Sequence, residues 1–167
     1  KIISQAASAL EHLRKHNLVH RDIKPSNLML TRDGTVKVVD MGLALLRDEQ
    51  AEQITILGEA MGSIDYMAPE QWKDSHNVDW RSDVYSLGCT FYCLLAGRAP
   101  YSGRQRGSFA RMRAHLESEF PDIREKRKDV PDEAARLLEA MVVKDPTRRL
   151  TDLVQISEQL DIIASGD

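Results

Sequence analysis

The side chains with the clearest chemical capacity sit close together in His20-Arg21-Asp22-Ile23-Lys24-Pro25-Ser26-Asn27. A carboxylate at Asp22 can take the proton of an attacking hydroxyl. Lys24 can neutralise charge on a moving phosphoryl group, and Asn27 offers a neutral oxygen to a hard cation such as Mg²⁺. Pro25 excludes a regular helix, so the segment is expected to be a loop. A second carboxylate, Asp40, opens Asp40-Met41-Gly42 further along.

The flanking elements must hold these groups in place. Residues 2–16 space Ile3, Ala6, Ala7, Leu10 and Leu13 by three and four, the pattern of an amphipathic helix with Gln5, Glu11, Arg14 and Lys15 on its polar side. Asn17 is its expected C-cap. Leu28-Met29-Leu30-Thr31 and Thr35-Val36-Lys37-Val38-Val39 flank Arg32-Asp33-Gly34 and read as a hairpin that sets the distance from Asn27 to Asp40. Residues 43–62 read as a long loop, and Pro69 precedes a helix from about Glu70. Ser82 is a candidate N-cap for a helix so apolar through Cys89, Phe91, Tyr92, Leu94 and Leu95 that it must be buried on most sides, and Gly97 ends it. A helix over 108–118 puts Phe109, Met112 and Leu116 on one side, and 122–129 reads as a charged surface loop. Pro131 opens a helix with Ala134, Leu137, Leu138 and Met141, and Leu153, Ile156, Leu160 and Ile163 mark the last one.

Composition narrows the class. The chain has 167 residues, a net charge of −3 and 42% hydrophobic residues, which suits one globular domain. That charge gives no footprint for nucleic acid and no basic face for a membrane. No apolar run approaches the ~18 residues of a membrane span. Cys89 and Cys93 share a helix face and read as small core residues, since a metal site would need more ligands nearby. Arg104, Arg106, Arg111 and Arg113 form a local positive region, either a solvated face or a docking site.

The order of His20 to Asn27 resembles the H-R-D-L-x-x-x-N catalytic loop of protein kinases, with Ile23 in the leucine place. Asp40-Met41-Gly42 resembles D-F-G, with Met41 for Phe. Gly62-Ser63-Ile64-Asp65-Tyr66-Met67-Ala68-Pro69-Glu70 resembles G-T-x-x-Y-x-A-P-E, and Asp83-x-x-Ser86-x-Gly88 resembles D-x-x-S-x-G. Lys24 marks the Ser/Thr branch, and the wording is closest to bacterial kinases of eukaryotic type. The resemblance implies a mainly α fold, the large C-terminal lobe of a kinase, with a small β-hairpin beside the catalytic loop. It implies one partial kinase domain over 1–167, because no G-x-G-x-x-G occurs and the small lobe would precede Lys1. Both ends are thus expected to be cut from a longer chain.

The implied activity is transfer of the ATP γ-phosphate to Ser or Thr hydroxyls of a protein substrate, with Asp22 as base, Lys24 at the phosphoryl group, and Asn27 and Asp40 holding Mg²⁺. Met29 would lie under the adenine ring or be plain core. Ser63 would bond Asp22 and Lys24. Thr55 is either a phosphorylation site read by Arg21 or an ordinary loop threonine, and Glu59 could supply fixed charge instead. Asp83 would hold His20 and Arg21, and Glu70 would pair with Arg149. The fragment by itself is expected to be nearly inactive, and a cytoplasmic location is expected, with any membrane anchor outside this segment. Two alternatives stay open: a pseudokinase or scaffold, and a small-molecule phosphotransferase.

Overall fold

The computed structural model describes residues 1–40, 63–74, 77–102 and 107–166. Met41, Thr55, Glu59, Arg104 and Arg106 lie outside the described residues. Among those described, six α-helices surround one buried core and a single two-stranded hairpin lies at its edge.

Helix α1 (Ile2–Lys15) turns Ile3, Ala6, Ala7 and Leu10 inward, as its spacing predicts. It ends one residue early: His16 is the cap position, and Asn17 follows in the left-handed region at φ 56°. Two residues expected on its polar side are used inside the fold. Glu11 is buried and accepts two hydrogen bonds from Arg14, at 2.7 and 2.8 Å. Gln5 clasps the hairpin, donating to the Gly34 carbonyl (3.1 Å) and accepting from the Val36 N–H (2.9 Å). Strands β1 (Leu28–Leu30) and β2 (Val36–Val38) pair antiparallel, with Met29 opposite Lys37.

A short helix α2 (Pro69–Lys73) follows a 3-10 turn at Ile64–Tyr66. Helix α3 (Arg81–Ala96) is the axis of the fold and is buried without a break from Ser82 to Tyr92. Ser82 is not its cap. The Asp79 carboxylate takes the Arg81 N–H at 2.9 Å, while the Ser82 hydroxyl donates to the Asp79 carbonyl within the first turn. Gly97 closes the helix at φ 71°. Cys89 is buried, and Cys93 is half-buried and accepts the Tyr66 hydroxyl at 3.3 Å.

Helix α4 (Ser108–Glu117) is rotated away from the apolar face its sequence suggests. Ala114 and His115 are buried, whereas Phe109 is 73% exposed. The reason is a set of polar partners on the inner side, described below. Between α4 and α5 (Asp132–Met141), the stretch expected as surface loop is anchored by a 3-10 turn, Ile123–Glu125, whose Ile123 is buried. Helix α6 (Leu153–Ser165) is capped by Asp152, which accepts from the Val154 and Gln155 N–H groups, and buries Leu153, Ile156 and Leu160 against α1 and α5.

Gly88 is where α3 meets the end of α5. A Cβ there would lie 2.6 Å from Val142 Cγ1 and 3.2 Å from Met141 Cβ. Gly88→Ala is therefore expected to destabilise the fold by about 1–3 kcal/mol, the usual cost of overpacking. Urea unfolding of the two proteins measures it.

Candidate active site

The loop at residues 18–27 is held from below by one carboxylate. Asp83, fully buried in α3, accepts the His20 N–H at 2.7 Å through one oxygen and the Arg21 N–H at 2.8 Å through the other. Two consecutive N–H groups converge only if the backbone bends sharply, and Arg21 sits at φ 69°. Such a conformation is costly for a residue with a Cβ and persists where its surroundings impose it.

Burial pushes the Asp83 carboxyl up from 3.8 to about 7, against the pull of the two N–H donors. A folded value above the unfolded one means that this group's contribution is complete below 3.8 and is lost as pH rises through about 7. Asp83→Asn removes the titration and weakens one anchor. Measured as urea midpoints, the unsubstituted protein should lose stability relative to the variant across that window, with no further change outside it.

His20 is wholly buried and carries the next link. Its Nδ1 faces the Asp22 N–H at 3.3 Å and must accept, so its Nε2 carries the proton and donates to the Val39 carbonyl at 3.1 Å. Burial lowers its pKa, consistent with a neutral ring. The Val39 N–H in turn donates to the Asn27 carbonyl at 2.9 Å. Asp40 follows directly, exposed and at φ 66°, so the hairpin delivers the second carboxylate beside the loop.

Within the loop, Asp22, Lys24, Asn27 and Ser63 form one cluster. Lys24 Nζ lies 2.7 Å from Asp22 Oδ2 and donates to Ser63 Oγ at 2.7 Å. The sequence-based expectation that Ser63 meets Lys24 is met; Asp22 is reached through Lys24. Asn27 Nδ2 donates to the Asp22 carbonyl (2.7 Å) and to Asp22 Oδ2 (3.1 Å). Two consequences follow from this geometry. Among the described residues, both contacts to the carboxylate fall on Oδ2 and none on Oδ1. The amide of Asn27 spends its nitrogen on Asp22, so its Oδ1 is the remaining donor to a cation. Asn27 and Asp40 together present only oxygen, the donor type Mg²⁺ takes. Met29, on β1, is 52% exposed.

Beyond Ser63, the expected pair of Glu70 and Arg149 is present. Arg149 Nη1 and Nη2 donate to the two Glu70 carboxylate oxygens at 2.6 and 2.9 Å. Sequence reasoning missed two supports. Gln71 accepts the Ala68 N–H at 2.8 Å and donates to the Arg21 carbonyl at 3.1 Å, joining α2 to the 18–27 loop. Its position three residues into a helix opened by Pro69 is the N3 place of a capping arrangement, which a cap search would have flagged. Arg111 pairs with Asp65 at 2.7 Å, and so is not part of a solvated basic face. No helix among the described residues is long and apolar enough to cross a membrane, and they contain no cluster of metal-binding His, Cys, Asp and Glu.

A clamped loop bearing an acid, a lysine and an asparagine thus lies beside a hairpin that ends in a second acid. A family model for the protein kinase domain matches residues 1–160, and the chain belongs to the protein kinase family. It is 33% identical over 166 residues to the serine/threonine-protein kinase PknB of Mycolicibacterium smegmatis, covering 99% of this chain and 26% of that protein. It is 38% identical over 144 residues to the DNA damage-responsive serine/threonine-protein kinase RqkA of Deinococcus radiodurans, covering 86% of this chain and 21% of that protein. With the serine/threonine-protein kinase PrkC of Bacillus subtilis, identity is 34% over 148 residues, 89% of this chain and 22% of the relative. The chain thus spans about a quarter of the length of these relatives.

Proposed function

We propose that these residues form the large lobe of a Ser/Thr protein kinase that transfers the γ-phosphate of ATP to a Ser or Thr hydroxyl of a protein. The observation that carries the reading is the Lys24 ammonium held between the Asp22 carboxylate and the Ser63 hydroxyl. Asp22 Oδ1 accepts the hydroxyl proton as the oxygen bonds to phosphorus and the bond to the leaving ADP oxygen breaks. Lys24 stabilises charge on the transferred group. Asn27 Oδ1 and the Asp40 carboxylate hold Mg²⁺, which supplies charge neutralisation on the phosphates. Met29, apolar and exposed on β1, supports the adenine ring. The site works in the cytoplasm.

The test is direct. The full-length protein is incubated with Mg²⁺, γ-labelled ATP and a protein substrate rich in Ser and Thr. Label on Ser or Thr supports the reading. Label on a small-molecule alcohol alone, or ATP binding with no transfer, overturns it.

A further inference from the structure

The C-terminal end of α1 carries two histidines one turn apart. The rings of His12 and His16 lie 4.4 Å apart, centre to centre, with 41° between their planes. Both residues are exposed, whereas His20 and His115 are wholly buried and hydrogen-bonded within the fold. His16 Nδ1 donates to the His12 carbonyl at 2.8 Å. A carbonyl only accepts, so in the neutral ring the proton sits on Nδ1 and the lone pair on Nε2. An imidazole whose other nitrogen is held by a backbone carbonyl is prepared to ligate a metal.

The ring spacing selects the kind of ion. An ion about 2.0–2.1 Å from a ring nitrogen lies about 3.2 Å from the centre of that ring. Two ring centres 4.4 Å apart then subtend an angle of about 90° at the ion. A tetrahedral ion would hold the centres about 5.2 Å apart. The observed spacing fits adjacent corners of a square, the preference of Cu²⁺ and Ni²⁺, and imidazole suits both. The setting admits a cation. The helix ends here, and its last carbonyls carry partial negative charge. The adjoining cations, Arg14 and Lys15, are drawn onto Glu11 at 2.7 and 3.6 Å. Among the described residues no third His, Cys, Asp or Glu joins the pair.

We propose that His12 and His16 form a two-histidine site for a tetragonal divalent ion, Cu²⁺ or Ni²⁺, with water at the remaining positions. The ion joins two side chains across one helical turn. It thereby staples the end of α1, whose chain runs on through Asn17 into the 18–27 loop. Its nitrogen donors set it apart from Asn27 and Asp40, whose oxygens suit Mg²⁺. The site owes nothing to phosphoryl transfer.

The test titrates the untagged full-length protein with Cu²⁺ and with Ni²⁺ under excess Mg²⁺, beside His12→Ala, His16→Ala and the double variant. Calorimetry should show one equivalent of bound metal that the double variant lacks. Each single variant should weaken that binding about tenfold or more, because the second nitrogen acts as an intramolecular ligand. Electron paramagnetic resonance of the Cu²⁺ complex should show two imidazole nitrogens, and one in either single variant. Equal binding by the unsubstituted protein and the double variant overturns the inference. So does a one-nitrogen spectrum from the unsubstituted protein, displacement by Mg²⁺, or Zn²⁺ bound more tightly than Cu²⁺. Should an alanine variant fail to fold, His12→Phe and His16→Phe keep the ring without its nitrogens and should lose the same equivalent; retention of it there also overturns the inference.

Discussion

Asp22→Asn in the full-length protein should lower phosphoryl transfer by about 10²–10⁴-fold, the contribution of a positioned general base, while leaving the melting temperature near that of the unsubstituted protein. Asn keeps the size of Asp and one carbonyl oxygen, so it can still accept from Lys24 or from Asn27. It cannot accept a proton at pH 7. The loop itself does not depend on this side chain, because Asp83 and His20 hold it through backbone groups. Loss of activity with an intact fold separates chemistry from architecture. Unaltered transfer would remove Asp22 from the role of base, and loss of fold would show that its contacts to Lys24 and Asn27 are structural.

What could be read from the sequence follows from where each partner lies along the chain. Asp22, Lys24 and Asn27 are neighbours, and their spacing alone suggests joint action. The hairpin was equally legible, because Asp33-Gly34 between two β-rich runs leaves few other conformations. The Glu70–Arg149 pair spans 79 residues and was foreseen only through the family resemblance. Asp65–Arg111 and Gln71–Arg21 span 46 and 50 residues, and no periodicity encodes them. Helix α4 shows the same limit. Helical spacing assumes that the apolar stripe of Phe109, Met112 and Leu116 faces inward, and it gives no weight to a buried carboxylate waiting for Arg111. One ion pair and one histidine–tyrosine bond rotate the helix away from the face that pattern favours. Glu11 and Gln5, placed on the polar side by the same logic, are instead a buried acid held by a half-exposed Arg14 and a hairpin clasp.

Arg149→Met should destabilise the fold by about 3–5 kcal/mol, the cost of breaking a buried pair by removing one partner. Arg149 does more than meet Glu70. Its side chain is fully buried, while Glu70 keeps 21% exposure. Its guanidinium also donates to the carbonyls of Arg81 (2.6 Å), Val143 (2.8 Å) and Lys144 (3.2 Å), and it lies over the Tyr85 ring at 5.1 Å. Three backbone acceptors lose their donor together when it goes. Glu70→Ala should cost at least as much, since it leaves a cation where water does not reach, whereas the carboxylate left by Arg149→Met is partly solvated. The double variant should lose less than the sum of the two, because no unpaired charge remains. Against a total stability of about 5–15 kcal/mol for a domain, either single change is large enough to populate the unfolded state at moderate temperature. Denaturant titration of the four proteins gives the coupling directly. Additive losses would mean that Glu70 and Arg149 stabilise the fold through separate neighbours, and that the bond between them is incidental.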